Sequence, residues 1–513
     1  MAFLLGLDIG TTSTTGVVID DAGRSLATAS RLATLFSEHP NWSEEDPEEW
    51  WRNVGEICRS LISSSRMSTA DIAGVGVTGM LPTVILIDDE IRPLRRSIQQ
   101  NDARATDELD GMRNAMAEDR FLDLSGTGYS QQLVGPKLAW LRDHEWDAFR
   151  KARNVVGASD FITARLTGSI QVEHNWALEA GFVNLRTGAY DLDLIALAGI
   201  DPQILPPIRV SQEVVGAVTA EASRHTGLKA GTPVVAGCAD HVASAFVCGA
   251  SRNGDLVLKF GGAGDILLSS DRPITDRRLF IDHHIVPGFY FSNGCMASSG
   301  SFLNWIVYNW AEAEATKAQA MGLSPHQHLD RLAAELPPDI EVLFLPYFLG
   351  EKTPLNDPFA RGTLVGLGLH HGIAHVWRAA LEGVVFGFCH HVEVFREREL
   401  AVHRVFATDG GAASDLWLQI AADVLDLPVT RIDRHPGSSL GAAFVAGMGV
   451  GVLTDWTAVE AYVSPGRQFT PDKLRHRAYV QKYAQWRDVY ERLKSLYPSL
   501  CKSSLESAIK RVS

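Results

Sequence analysis

The chain has 513 residues, 46% hydrophobic and 21% charged, a globular balance that excludes disorder for the bulk of it and is long enough for two to four domains at roughly 150 residues each. Its 47 basic and 61 acidic residues leave a net charge of -14, which repels phosphate backbones and argues against a nucleic-acid partner. A small anionic ligand is not excluded, because backbone amides and metal ions hold such ligands locally.

The six cysteines, at 58, 238, 248, 295, 389 and 501, are too scattered for zinc spacing or a disulfide framework, and read as reduced thiols of a cytoplasmic protein. The N-terminus runs from Met1 into Phe3–Leu7 without a basic leader, and no apolar stretch approaches the roughly 20 residues that span a bilayer. No membrane association is expected.

In chain order, FLLGLDIG, TGVVID and SLATASRL alternate in strand fashion around the turns TTST and DDAG, a three-stranded antiparallel meander. Trp50, Val54, Ile57 and Leu61 then keep helical spacing from Pro47 to Ile62, and Ile72–Val77 and Val84–Ile87 return to strand. Near residue 255 the opening pattern recurs, as DLVLKFGGAGDILLSSD is a strand, a Gly-rich turn with an aspartate, and a second strand. Two such units about 250 residues apart predict an internal duplication, hence two related α/β domains facing one cleft, with a boundary near Val247. Trp377, Leu381, Val384, Phe388, Val392 and Phe395 keep helical spacing, as do Trp417, Ile420, Ala421 and Val424 after DGGAAS, and a polar, basic helical tail is expected from about Thr454.

Several patterns are set aside. Gly74, Gly76 and Gly79 satisfy G-x-G-x-x-G but sit inside a strand and lead to Pro82, not to a helix. Gly437, Ser439 and Gly441 satisfy the nucleophile-elbow pattern G-x-S-x-G, but the downstream partners would be Asp455 and His476 in the polar tail, and a helix start after a proline turn is the simpler reading. GEKT at 350–353 is not a phosphate loop, because Glu351 separates its glycine from Lys352. The histidine pairs 283/284, 370/371 and 390/391 cannot easily clasp one ion, since neighbours diverge on strands and helices alike.

Asp8, Gly10, Thr11, Thr12 and Ser13 carry more information: a strand ends in a carboxylate and a hydroxyl-rich Gly turn, which offers backbone N–H groups and a metal anchor to an oligophosphate. The turn Gly261, Gly262, Ala263, Gly264 is its partial echo, and two such hairpins can clamp phosphates. Between them, in VVAGCADHVASAF, Asp240 follows a strand and precedes a helix-like run, where it can cap the helix or take a proton from a substrate hydroxyl. With both phosphate turns present, proton acceptance is the preferred reading.

This constellation resembles the FGGY carbohydrate kinases, of the superfamily of sugar kinases, chaperone ATPases and actin, over residues 3–455. In GTLVGLGLHHGIAHVWRAALEG the residues Gly362, Leu364, Gly366, Leu367, His375, Val376, Ala379, Leu381, Glu382 and Gly383 satisfy the family's C-terminal signature, while GPKLAWLRDH keeps Lys137, Leu138, Trp140 and His144 of a looser N-terminal one, from which Gln132 and Val134 depart. Residues 39–51 and 344–362 look most like xylulokinases.

The resemblance implies two actin-like (ribonuclease H-like) domains: an N-terminal domain 1–247 with the sugar site, first phosphate loop and catalytic aspartate, an ATP-binding domain 248–455, and a tail 456–513. It implies Mg²⁺ at Asp8 and ATP along Gly10–Ser13, Gly261, Gly262 and Gly264, with Gly300 and Asn304 and then Gly410, Gly411 and Asp415 flanking the adenosine. The family's threonine in the second loop is absent, and Asp265 follows. Asp240 aligns with the general base, and Met80, Leu81, Asp102 and His241 fall on sugar-facing positions. There the pattern departs: Met80–Thr83 replaces a Gln-Met-His-Gly stretch, Gln100 replaces a tryptophan ahead of Asn101, Asp102 and Arg104, and His241 stands where asparagine is frequent.

The implied reaction is ATP-dependent phosphorylation of a sugar hydroxyl, with a pentulose such as D-xylulose as substrate, by a chain whose relatives form homodimers. Other readings are a related kinase for ribulose, erythritol or glycerol, an actin-like ATPase module without sugar dependence, and, more remotely, a hydrolase through Ser439.

Overall fold

The structure is a computed structural model and describes residues 2–65, 67–337, 340–435 and 437–501. It divides into two compact units that are discontinuous in sequence: Met1–Ser251 with Asp271–Phe291 and Pro436–Val463, and Arg252–Ser270 with Ser292–His435 and Ser464–Ser513. Linear bounds cannot express this interleaving.

In the first unit the expected meander is present, Phe3–Ile9 and Ser13–Asp20 pairing antiparallel and Ser25–Leu32 extending them. Ile72–Gly79 joins Phe3–Ile9 in parallel, followed by Pro233–Val235 in parallel and Val214–Ala217 antiparallel, while Cys238–Ala239 pairs with the end of Ile72–Gly79. The second unit repeats the scheme: Gly264–Ser270 antiparallel to Asp255–Phe260, then Arg404–Thr408 and Val429–Ile432 in parallel, then Pro465–Phe469 antiparallel. The same antiparallel, parallel, parallel, antiparallel series in both sheets bears out the duplicated α/β fold read from the two Gly hairpins. Parallel neighbours need crossover connections, so helices cover these sheets.

Helix Pro47–Ser65 starts on a proline, carries Glu48 and Glu49 in its first turn, and buries Trp50, Val54, Ile57 and Leu61. Ile57 packs so closely on the meander that a Cβ at Gly16 would stand 2.5 Å from it. The glycines of the discarded G-x-G-x-x-G have the same kind of role. Helix Ser438–Gly449 lies directly on the first sheet, where a Cβ at Gly6 would stand 1.8 Å from the Ser439 carbonyl oxygen and one at Gly76 would stand 2.1 Å from that of Ala442. Ser439 is buried within that helix, which begins after Gly437, and Pro436 lies outside the described residues.

In the second unit, helix Ile373–Glu397 carries the His375–Gly383 part of the C-terminal signature and is almost wholly buried. Glu382 takes hydrogen bonds from Arg378 (2.8 Å), Tyr479 (3.0 Å) and Lys482 (2.5 Å), so the signature carboxylate fastens helix Lys473–Leu493 onto it. The tail expected to be helical is only partly so. Residues Trp456–Tyr462 form a 3₁₀ helix, and Pro465–Phe469 is an edge strand whose polar, half-exposed residues pair with Val429–Ile432 by backbone bonds that a polarity pattern does not reveal. Residues 502–513 of that tail lie outside the described ones. Among the described residues, no helix is long and apolar enough to cross a membrane.

Candidate active site

In the first unit, Asp8 lies one residue from the end of its strand, and the chain reverses at Gly10, whose N–H donates to the Ser13 carbonyl (3.1 Å). Asp8 Oδ2 accepts from the Ser438 hydroxyl at 2.6 Å, so the first turn of helix Ser438–Gly449 buttresses the carboxylate from 430 residues away. Thr11 donates to the Met80 sulfur (3.5 Å), and Met80 N–H to the Ile9 carbonyl (3.0 Å), which joins the Gly10–Ser13 turn to the segment expected to face a sugar. Carboxylate and hydroxyl oxygens of Asp8, Thr11, Thr12, Ser13 and Ser438 are hard donors, the set that suits Mg²⁺.

Asp240 is delivered by the adjacent strand end. Gly237 takes φ +97°, and a Cβ there would stand 2.0 Å from the Val77 carbonyl oxygen, so only glycine lets the chain turn so close to Ile72–Gly79. Thr78 Oγ1 then donates to the Cys238 carbonyl (2.7 Å), and Asp240 opens helix Asp240–Phe246. It does not act as the cap expected of a bland aspartate there, since Ala239 holds the cap position. Asp240 Oδ1 accepts from the His241 backbone N–H (2.6 Å) and lies 3.4 Å from its Nδ1, while among the described residues no donor reaches Oδ2.

The His241 ring continues to Asp282, whose Oδ2 lies 3.0 Å from Nε2, with Glu179 Oε1 3.9 Å away. Burial opposes charge on the ring, but Asp282, Asp240 and Glu179 outweigh it and hold its pKa well above the usual imidazole value. Burial, and then the charge of Asp282, pushes Glu179 well above the carboxylate range.

The residues expected to face a sugar are mostly internal. Met80 and Leu81 are buried, and Thr83 holds the Trp176 indole N–H through its carbonyl (2.8 Å). Asp102 is fully buried and saturated: Oδ1 accepts from Arg104 N–H and Nε, and Oδ2 from Ser43 N–H and Arg104 Nη2. Arg104 also pairs with Glu44 at 2.7 Å and stacks on Trp42 at 3.7 Å. Lys137 of the N-terminal signature is completely buried and donates to the carbonyls of Gln99, Gln100 and Gln132, clasping the loop that carries Asn101 and Asp102. The signature lysine therefore shapes this loop by holding its backbone.

In the second unit the turn Gly261–Gly264 is fastened to the start of helix Gly300–Trp310. Gly300 N–H donates to the Gly261 carbonyl (2.8 Å), and Ser299 N–H and Ser301 Oγ both donate to that of Gly262 (2.9 Å each). A Cβ on Gly300 would stand 2.7 Å from the Gly261 oxygen, whereas at Gly262 and Gly410 no described atom lies within 4 Å of the Cβ position. These glycines leave a shallow cradle of backbone that suits an oligophosphate, with Asn304 exposed one turn along the helix. Gly411 packs against Trp417 and Phe260, while Asp415 is held between Arg431 (2.7 Å) and Arg467 (2.6 Å). Asp265, an unexplained charge beside the loop, is paired across the hairpin with Lys259, whose Nζ lies 3.7 Å from its Oδ2.

Among the motifs set aside, GEKT clamps a core strand: Glu351 accepts from Ala297 N–H (2.8 Å), Thr353 Oγ1 from Cys295 N–H (2.7 Å), and burial pushes Glu351 to about 8. His284, His390 and His391 are buried, as expected of core histidines. His370 and His371 differ, since they occupy an exposed turn rather than a strand or helix, their rings are 3.9 Å apart, and with Glu341 their ligand atoms gather within 4.8 Å. His371 Nδ1 accepts the Gly368 N–H, however, which leaves the proton on Nε2 and the ring poorly set to ligate. Ser438, Glu179 and Asp282 are contributors that sequence reasoning missed. Each lies far along the chain from its partner, and only the HPGSS segment offered a signal, which was read as a helix start.

Comparison with known proteins agrees with this geometry. The N-terminal domain profile of the FGGY family of carbohydrate kinases matches residues 3–247 and the C-terminal domain profile residues 267–450. A xylulose kinase of Bacillus subtilis (strain 168) is 28% identical over 505 residues, covering 98% of this chain and 99% of that protein. A gluconokinase of the same organism is 27% identical, covering 92% of each. The crystal structure of xylulose kinase from Rhodospirillum rubrum superposes with a TM-score of 0.91 at 44% identity, covering 96% of this chain and 99% of that one.

Proposed function

The chain belongs to the FGGY family of carbohydrate kinases, and we propose that it phosphorylates a pentulose, D-xylulose in the first instance, with Asp240 as the base. The observation that carries this is Asp240 itself: Oδ1 is tied down by the His241 N–H at 2.6 Å, while among the described residues no donor reaches Oδ2, and the side chain is about one-third exposed. A carboxylate so held can take the proton of a substrate hydroxyl without reorganising. The choice of pentulose is supported by the relatives named xylulose kinase and by the 44% identity to the Rhodospirillum protein.

ATP with Mg²⁺ supplies an electrophilic phosphoryl group whose charge is partly neutralised. Toward it, the chain offers Asp8, the turn Gly10–Ser13, Gly261, Gly262, Gly264, Gly300, Asn304, Gly410, Gly411 and Asp415. In such transfers, positioning and charge stabilisation do most of the work, so the Gly turns count as much as the base. Met80, Leu81, Asp102 and His241 shape the sugar side, Asp102 acting through the Arg104 it holds. A homodimer and a cytoplasmic setting complete the proposal, the latter in keeping with the burial of four of the cysteines.

A coupled ADP-release assay with Mg-ATP and a panel of pentuloses, hexuloses, polyols and gluconate tests it. Stimulation by D-xylulose well above the other sugars is expected, and Asp240→Asn abolishes it while nucleotide binding persists. Near-normal turnover of Asp240→Asn refutes the base assignment. Gluconate as the preferred acceptor would move the chain to the second set of relatives.

A further inference from the structure

We propose that His241 is a positioning residue for this kinase: held as a doubly protonated ring between Asp240 and the Asp282–Glu179 pair, it fixes Asp240 Oδ1 and leaves Oδ2 as the proton acceptor. This inference rests on the reading of Asp240 as the base. The polar atoms of Glu179, His241 and Asp282 gather within 4.8 Å of one another, and the opposite edge of the ring lies 3.4 Å from Asp240. Each ring nitrogen faces a carboxylate, an arrangement that is satisfied only when both carry protons.

Three elements face the ring: the start of helix Asp240–Phe246 with Asp240, the end of helix His174–Glu179 with Glu179, and strand Phe280–His283 with Asp282. Behind Asp282, His283 stacks on His174 at 4.3 Å, and burial lowers His283 to about 3, so His283 adds no competing positive charge.

In the reaction, the sugar O–H bond breaks as the new O–P bond forms, the proton passes to Asp240 Oδ2, and the leaving ADP oxygen keeps the electron pair of the broken P–O bond. The ring retains both its protons throughout and shuttles none. Its positive charge, 3.4 Å from Asp240 Oδ1, attracts the carboxylate and steadies it. The asparagine frequent at this position in xylulokinases can hold Oδ1 but brings no charge.

The test is the pH dependence of kcat and kcat/KM on the full chain with its best sugar, for wild type, His241→Asn, Asp282→Asn and Asp240→Asn, with melting temperature measured alongside. Expected for His241→Asn is a loss of about 10-fold in kcat at pH 6 that recovers as pH rises, the acid limb moving up by about one unit, with KM for ATP unchanged. Asp282→Asn removes the main support of the ring's charge, so the alkaline limb moves down by about one unit. A purely structural role would lower the melting temperature and leave both limbs in place, and that result overturns the proposal. Should the Asp282 variant fail to fold, ¹⁵N shifts of the His241 ring in the wild-type chain decide the matter: both nitrogens protonated at pH 8 supports it, a neutral ring at pH 8 sinks it. An inactive Asp240→Asn beside an unshifted His241→Asn refutes only the positioning role. An active Asp240→Asn removes the base reading and this inference together.

Discussion

Gly300→Ala is a sharp probe of the Gly261–Gly264 turn proposed to hold phosphate. An added Cβ would stand 2.7 Å from the Gly261 carbonyl oxygen, whereas ordinary contact begins at 3.4 Å, so the turn must retreat by about 0.7 Å. The Gly300 N–H to Gly261 carbonyl bond, 2.8 Å long, would then stretch to the edge of bonding distance. Its loss costs about 1 kcal/mol, worth roughly 1 °C of melting temperature in a chain of this size. Catalysis is more sensitive, because a displacement approaching 1 Å in a positioning group costs up to about 100-fold. KM for ATP is therefore expected to rise about 10- to 100-fold in steady-state assays, with the sugar KM little changed. Gly262→Ala is the companion, since no described atom lies within 4 Å of its Cβ position. It should leave the melting temperature unchanged or slightly raised, yet weaken ATP binding by placing a methyl group where the turn meets phosphate. If both variants keep KM for ATP within two-fold of wild type, the turn does not hold the nucleotide.

Gly76→Ala, within the G-x-G-x-x-G run, should destabilise the chain by about 2–3 kcal/mol in urea unfolding, because its Cβ would meet the Ala442 carbonyl oxygen at 2.1 Å; a neutral result would mean that helix Ser438–Gly449 does not press on the sheet. Glu351, raised by burial to about 8 from an ordinary 4.5, binds its proton more tightly folded than unfolded. Its contribution is thus present below pH 4.5 and is lost as pH rises through 8, at most about 5 kcal/mol. Glu351→Gln should flatten that part of the stability curve between pH 5 and 8, and an unchanged slope in the variant would refute the assignment.

Strands and helices with local signals were legible. The hairpins Phe3–Asp20 and Asp255–Ser270, the helices around Trp50 and Trp377, and the placement of Asp240 after a strand all follow from periodicity and turn chemistry, which are properties of neighbouring residues. The recurrence of the Gly hairpin was enough to anticipate the duplicated sheet, and the signature residues were enough to anticipate the family.

What only the tertiary structure decided is who meets whom across long stretches of chain. His241 reaches Asp282 41 residues on, Asp8 takes its hydrogen bond from Ser438 430 residues on, and Asp102 is consumed by Arg104 and Ser43. The charge of Asp265 became intelligible once strand register set it opposite Lys259, and the Gly74–Gly79 run once a helix from the far end of the chain was laid on it. A sequence by itself determines which elements form and what chemistry they carry. The protonation state and free valence of each polar group depend on burial and on partners brought together by folding, because both energies fall off within a few ångströms in space and are indifferent to distance along the chain.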